Sequence, residues 1–375
     1  MLDIHKRTWA EVGVSAINYN YGRIRKLVSE NCKICGVVKA NAYGHGLVEV
    51  SKMLQAYGCD YLAVACLDEA ELLREKGIKL PILILGHTFP DFIERVADCD
   101  AIQSLFSLET AKEYSRILEK AGKSLKVHVK LETGMGRLGF DAKNGVDDIC
   151  RAISLPKLQA EGVFTHFAVS DEPDGGEYTK KQFESFMSAV SQVEEKTKKP
   201  FAIKHCANSG AILNHPEMWL DMVRPGILLY GCYPKERSEV LPITHSMEFK
   251  TRVSHIFDLE KGESVSYGRD FIADKKMKVA VLPVGYGDGL RRELSGKIDV
   301  IVNDRRCPQI GRICMDSCMV DVTDCETVEV GTIAAIFGHE RRTVIKVEEL
   351  AEKAGTNTYE ILCDISSRIP RHYCK

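Results

Sequence analysis

The sequence predicts an α/β protein in two parts: a (β/α)8 TIM-type barrel over residues 1–240 and a β-rich domain over 241–375. Three observations point there. Eight short β-branched or apolar runs, near 34–39, 61–65, 82–85, 100–103, 125–131, 160–164, 202–205 and 221–229, alternate with amphipathic helical stretches such as 47–57, 68–76, 107–121 and 179–196. No GxGxxG follows the first run, and doubly wound open sheets usually stop short of eight strands. After Tyr233-Pro234 the rhythm changes to short alternating runs separated by turn residues: Thr251 to Phe257, Lys278 to Pro283, Ile298 to Asn303, Met319 to Val322 and Thr332 to Phe337, with one helix near 347–354.

Composition narrows the function classes. A formal net charge of −2 offers no electrostatic footprint for nucleic acid or an anionic membrane. No apolar run approaches the roughly 20 residues a membrane helix needs. The opening Met1 to Arg7 lacks the apolar segment of a signal peptide, so a cytoplasmic protein without membrane contact in this chain is expected. The 14 cysteines sit largely inside apolar runs, as thiols do in a reducing compartment. Cys32-Lys33-Ile34-Cys35 has redox or zinc spacing, but no second pair completes a tetrahedral site, and no metal is expected.

The first predicted strand ends on Lys39, inside Val38-Lys39-Ala40-Asn41-Ala42-Tyr43-Gly44-His45-Gly46. Strands buried on both faces seldom spend a position on an ammonium. Lys39 is therefore either a chain snorkelling off the strand end or a desolvated amine usable as nucleophile and base. Enzymes on this barrel place their chemistry at the C-terminal strand ends. There the pattern collects Lys130, Glu132 and Arg137 around the end of the fifth run, His166 after the sixth, Asn208 and Ser209 after the seventh, and Arg224, Gly226 and Ile227 in the eighth. Singly, Asn208-Ser209 is a common helix cap, His166 a structural histidine and Arg137 a surface residue. Together, Asn208-Ser209-Gly210 and Gly226-Ile227 suit an oxyanion, since barrels commonly hold phosphate at the last two loops. A strand-end lysine with a phosphate cradle suggests pyridoxal 5′-phosphate bound covalently to the lysine.

The residues resemble the alanine racemase family of fold-type III pyridoxal phosphate enzymes, from about residue 8 to the end. The resemblance runs through Trp9-Ala10-Glu11-Val12, the Lys39 segment, Thr165-His166-Phe167, Asn208-Ser209, Arg224-Pro225-Gly226, Ser266-Tyr267-Gly268, Gly285-Tyr286 and Gly311-Arg312-Ile313-Cys314-Met315-Asp316, in family order. It implies that Lys39 carries the cofactor and serves as one base, with Tyr267 as the second base on the opposite face. His166 would hydrogen-bond that tyrosine, and Arg224 would face the pyridine nitrogen. Arg137 would sit by the phenolic oxygen and the substrate carboxylate, oriented by Lys130 if that lysine is carbamylated. Tyr43, Ser209, Gly226, Ile227 and Tyr286 would hold the phosphate. Met315 and Tyr267 would come from a partner subunit, so a homodimer with shared active sites is implied, with Asp316 and Ser367 on the substrate side.

Two positions depart from the family. Glu132 stands where aspartate is usual. Ser367 stands where tyrosine is usual, which removes roughly 100 Å² of ring surface. The added room and hydroxyl suit L- and D-serine as well as L- and D-alanine, and resemble the serine racemases of vancomycin-resistance systems, in which the racemase follows a membrane domain. The alternative is that another group fills the gap and alanine stays preferred. In either case D-amino acids for cell-wall peptidoglycan would be the product. The rivals are a fold-type III amino-acid decarboxylase, in which an acidic residue faces the ring nitrogen, and a barrel-only, non-catalytic pyridoxal phosphate carrier.

Overall fold

The structure, a computed structural model, describes residues 7–234 and 240–374 of the 375-residue chain. Residues 1–6, most of the stretch read for a signal segment, lie outside the described residues, as do 235–239 beside the expected boundary. Two compact units emerge, one from 16–42, 47–234 and 240–244, the other from 7–15, 43–46 and 245–374.

The first unit is the expected barrel. Parallel strands Lys33–Val37, Tyr61–Val64, Ile82–Ile84, Ala101–Leu105, Leu125–Glu132, Leu158–Phe164, Ile203–His205 and Met222–Val223 follow one another in sheet order. Met222 and Val223 pair with Lys33 and Ile34. The Asp221 amide donates to the Lys204 carbonyl (3.1 Å) and the Arg224 amide to the Ala207 carbonyl (2.9 Å), which draws the last two strands together. Tyr61–Val64, Ile82–Ile84 and Ala101–Leu105 are buried at every residue, as helix-covered parallel strands require. Helices follow the strands, among them Leu47–Ala56, Leu67–Glu75, Leu108–Ala121 and Gly176–Thr197. Leu108–Ala121 shows why they start and stop where they do: the Ser107 hydroxyl caps the Thr110 amide, and Gly122 takes the left-handed angle (φ 71°) that ends the helix.

The second unit is β-rich. Its main sheet runs His255–Leu259, Met277–Leu282, Cys318–Asp321, Arg305–Ile310, Asp299–Val302, Ile333–Glu340, Met247–Arg252, Thr8–Gly13, Arg371–Cys374, antiparallel except for the last pair. Leu259, Val265, Ala273, Met277, Val279, Ile310 and Met319 form one of its cores. The expected single cut after residue 240 differs from this arrangement. Thr8–Gly13 pairs with Met247–Arg252, and residues 43–46 also group here. An edge of free backbone donors selects its partner by register, which sequence proximity does not reveal. The run expected as one strand from Thr251 to Phe257 is two strands, broken at Val253-Ser254. The helix Val347–Ala354 stands where expected, and a second, Thr358–Cys363, follows it.

Among the described residues no helix is long and apolar enough to cross a membrane. All 14 cysteines are free thiols. Burial lifts the Cys32 thiol to about 11 and the Cys35 thiol further, which disfavours the thiolate at both.

Candidate active site

Lys39 stands partly buried just beyond strand Lys33–Val37. The four residues after it, Ala40, Asn41, Ala42 and Tyr43, all take left-handed backbone angles, with φ of 53, 55, 54 and 52°. Each such residue carrying a Cβ costs about 1–2 kcal/mol, and left-handed residues normally occur singly. The turn persists because its surroundings over-determine it. Ala42 N donates to Val38 O (2.8 Å), the Asn41 side-chain oxygen accepts from Leu47 N (2.8 Å), and Glu69 accepts from the amides of Asn41 (3.4 Å) and Ala65 (2.8 Å). Before the lysine, Val37 N donates to Pro225 O (3.0 Å) and Val37 O accepts from the Tyr230 hydroxyl (2.9 Å). Strain and tethers together fix where the Lys39 backbone stops.

Arg224 is 3% exposed and donates in four directions. Its Nη1 reaches His205 Nδ1 at 2.9 Å; its Nη2 is shared among Thr165 O (2.9 Å), Cys206 O (3.2 Å) and His166 Nδ1 (3.4 Å). The Phe164 ring lies 5.5 Å from the guanidinium carbon. A guanidinium only donates, so His166 accepts at Nδ1 and carries its proton on Nε2. Burial, then the charges of Arg224, Lys130, Arg137 and Lys39, hold the His166 imidazole well below its ordinary pKa, hence neutral.

Lys130, from the middle of strand Leu125–Glu132, is buried; its Nζ donates to Leu131 O (3.0 Å) and lies 5.4 Å from the Phe164 ring centre. Burial, then Arg224, push its ammonium down to about 7, with Glu132 opposing and Arg137 adding to the shift. Arg137 is exposed in the following loop, which Glu132 organises by accepting from the amides of Gly134 and Arg137. Burial works against the Glu132 carboxylate, but those amide bonds outweigh it and hold its pKa below the usual range. The longer side chain at 132 thus has a defined task in tying the loop.

The two halves of the expected oxyanion cradle meet. Asn208 caps helix Ser209–Asn214 through Ala211 N (3.0 Å), accepts from the Ser170 hydroxyl (2.7 Å), and presents Ser209. The Ser209 hydroxyl oxygen accepts from Gly226 N (3.0 Å), 17 residues away, beside Ile227. The donor set at this end of the barrel fits pyridoxal phosphate: an amine at Lys39, a buried guanidinium at Arg224, and a hydroxyl with amides at Ser209, Gly226 and Ile227.

In the second unit, Tyr43 is buried against the Tyr359 ring, centroids 5.9 Å apart, and burial raises its phenol pKa. Gly44 and Gly46 beside it have no room for a side chain: a Cβ would lie 2.1 Å from Leu362 O and 1.9 Å from the Tyr373 hydroxyl respectively. The Asp288 carboxylate is buried close to Tyr286 in the chain, and Ser367 is exposed beside Arg368. Asp288 takes Arg7 (2.8 Å), Arg368 (2.8 Å) and the Gly285 amide (3.0 Å); Arg368 also reaches Asp316 (2.8 Å). The amides of Tyr286 and Gly287 donate to the carbonyls of Cys314 (3.0 Å) and Met315 (2.9 Å). Tyr267 follows Ser266, a non-glycine at φ 68° whose hydroxyl donates to Arg312 O (2.6 Å). Tyr267 is 70% and Met315 53% exposed on this chain.

Sequence reasoning did not single out His205, His128, Glu161, Asp288 or Arg368. One signal was present: Lys126, His128, Lys130 and Glu132 alternate with Val127, Val129 and Leu131, which puts polar groups on one face of a barrel strand.

Residues 12–234 match the family described as alanine racemase, N-terminal domain, and residues 246–373 match alanine racemase, C-terminal domain. The chain is 43% identical over 368 residues to an alanine racemase of Methanococcus maripaludis, covering 97% of this chain and 98% of that one. It is 43% identical over 370 residues to an alanine racemase of Clostridium perfringens, covering 98% and 95%. Among solved structures, the alanine racemase of Clostridium difficile superposes with a TM-score of 0.94 at 39% identity, covering 98% of this chain and 96% of that chain. The alanine racemase of Bacillus anthracis with bound L-Ala-P gives 0.93 at 35%, covering 98% and 95%. Matches across both units, at these identities and coverages, place the chain in the alanine racemase family.

Proposed function

We propose that this chain is a cytoplasmic, pyridoxal-phosphate-dependent racemase of alanine that also accepts serine, working by two bases, Lys39 and Tyr267. When bound, the cofactor supplies an electron sink that acidifies the substrate Cα–H bond. Lys39 would hold the cofactor and exchange a proton on one face of Cα. Tyr267 would exchange it on the other, since inversion requires a proton to leave one face and arrive on the opposite one. Tyr267 and Met315, exposed on this chain, would serve the barrel of a second copy in a homodimer. Ser209, Gly226, Ile227, Tyr43 and Tyr286 would hold the phosphate, with Asn208 capping the helix that carries Ser209.

The observation that carries this reading is buried Arg224. A guanidinium at the ring nitrogen keeps that nitrogen unprotonated, which suits reversible proton transfer; the decarboxylase alternative calls for a carboxylate there. By donating to His166 Nδ1, Arg224 also leaves a neutral Nε2–H to hydrogen-bond the Tyr267 oxygen, making the phenol a better base. Arg137, oriented by a carbamate on Lys130, would grip the substrate carboxylate.

Serine enters through Ser367, an exposed hydroxymethyl in place of a phenol, next in the chain to Arg368, which pairs with Asp316. D-Alanine and D-serine would feed cell-wall peptidoglycan, the latter as in vancomycin-resistance systems. The test is D-product formation from L-alanine and L-serine by the wild type and by Ser367→Tyr. Serine turnover that collapses in the variant while alanine turnover persists is the expected result. Serine at background in the wild type leaves alanine as sole substrate, and no racemisation of either refutes the reading.

A further inference from the structure

We propose that Arg224, His205, His128 and Glu161 form one directed hydrogen-bond relay through the barrel interior that positions the Arg224 guanidinium from behind. Arg224 Nη1 lies 2.9 Å from His205 Nδ1, His205 Nε2 lies 2.9 Å from His128 Nδ1, and His128 Nε2 lies 3.4 Å from Glu161 Oε2. The two ends set the direction, because a guanidinium only donates and a carboxylate only accepts. Each imidazole therefore accepts at Nδ1 and donates Nε2–H, and no other assignment satisfies all three bonds with neutral rings. Both rings are fully buried, and burial holds each below its ordinary pKa, with Glu161 partly offsetting this at His128. Among the described residues no carboxylate lies within ion-pair distance of Arg224. The chain of bonds from it ends instead on Glu161, two imidazoles away, which also pairs with Lys126 (3.6 Å).

The backbone is built around these groups. Val127 opposes Ala160 but His128 opposes Gly162, so Glu161 is the extra residue of a β-bulge. Bulges re-aim a side chain, and this one lets Glu161 meet His128. Gly162 makes room for the ring: a Cβ there would sit 2.7 Å from His128 Nε2 and Cε1. Phe164, on the same strand, stacks on His205 with ring centroids 4.9 Å apart and planes 6° from parallel. A bulge, a glycine and a stacked ring thus hold the relay, in a barrel whose interior is ordinarily filled with branched apolar side chains.

The inference rests on the reading of Arg224 as the residue facing the cofactor ring. His205, His128 and Glu161 touch none of the reacting atoms and are positioning residues. Polarisation passes along the chain: Glu161 strengthens His128 as an acceptor, His128 strengthens His205, and His205 fixes one edge of the guanidinium.

Long-range 1H–15N NMR on 15N-histidine-labelled holoenzyme reads the tautomers directly. Two rings, assigned by their loss in His128→Gln and His205→Gln, should be neutral with the proton on Nε2. Glu161→Gln retains an acceptor and should keep both tautomers and most of kcat. Glu161→Leu should release the His128 tautomer and lower kcat roughly tenfold, with KM little changed. Either ring found as Nδ1–H or as imidazolium in the wild type overturns the relay, as does a Glu161→Leu variant with wild-type tautomers and kcat. The tautomers are read independently of turnover. A wrong tautomer in an active racemase defeats the relay alone, and expected tautomers in a protein that racemises neither amino acid defeat the functional reading alone.

Discussion

Lys130 is the residue whose chemistry the fold alters most. Burial, then Arg224, lower its ammonium from 10.5 to about 7. At about pH 7.5 roughly three quarters of such a side chain is free amine, against about one part in a thousand for an ordinary lysine. That near-thousandfold gain in nucleophile is what reaction with dissolved carbon dioxide needs: the amine nitrogen bonds to carbon, one N–H proton leaves, and a carbamate anion results. The change inverts the local field, because a cation crowded by Arg224 and Arg137 becomes their counter-ion. Linkage points the same way. A lysine with its folded pKa below its unfolded one destabilises the fold fully only below about pH 7. The penalty is of order 5 kcal/mol and fades as pH rises towards about 10.5. The assay is 13C NMR of enzyme equilibrated with 13C-bicarbonate, run beside Lys130→Ala. A carbamate resonance absent from the variant is expected, with a drop of about tenfold or more in kcat/KM for both the variant and the carbon-dioxide-depleted wild type. No label at position 130, together with activity indifferent to carbon dioxide, would rule out the carbamate.

Gly44→Ala should destabilise the protein by about 3 kcal/mol or more in denaturant unfolding, because the added methyl meets a backbone carbonyl that cannot step aside and φ stays at +82°. Asp288→Asn removes the charge that holds Arg7 and Arg368. A loss of about 2 kcal/mol is expected, less than for a fully buried pair because both arginines reach solvent, with faster amide exchange in residues 285–288 and 312–316. Tyr267→Phe should leave the fold and cofactor loading intact and lower racemisation by about a hundredfold or more, and turnover near wild type would remove Tyr267 from its proposed role.

Barrel strands were legible because helix-covered parallel strands are buried on both faces. Ile82-Leu83-Ile84 and Tyr61-Leu62-Ala63-Val64 can hardly be anything else between two helical stretches. The second unit was read less completely. Arg305–Ile310 carries three polar side chains in six residues, and Arg371–Cys374 is partly exposed throughout, so neither has the apolar run that marks a strand. Of the candidate site, the residue types at the strand ends were visible from spacing and resemblance. The turn after Lys39 was not: Ala, Asn, Ala and Tyr carry no local preference for four successive left-handed residues, and tethers from Glu69, Leu47 and Val38 help to sustain it.

The alternation of strand and helix, the place of Lys39 at a strand end and the family to which the motifs belong are all written in the linear chain. These rest on short-range pattern, where a few neighbouring residues settle the outcome. Tertiary structure alone decided that Thr8–Gly13 joins Met247–Arg252, that Ser209 meets Gly226, and that Arg224 is backed by His205, His128 and a bulged Glu161. Each of these joins residues far apart in the chain. Which partner a buried donor finds depends on register and on the closing of the barrel, and a linear reading contains neither.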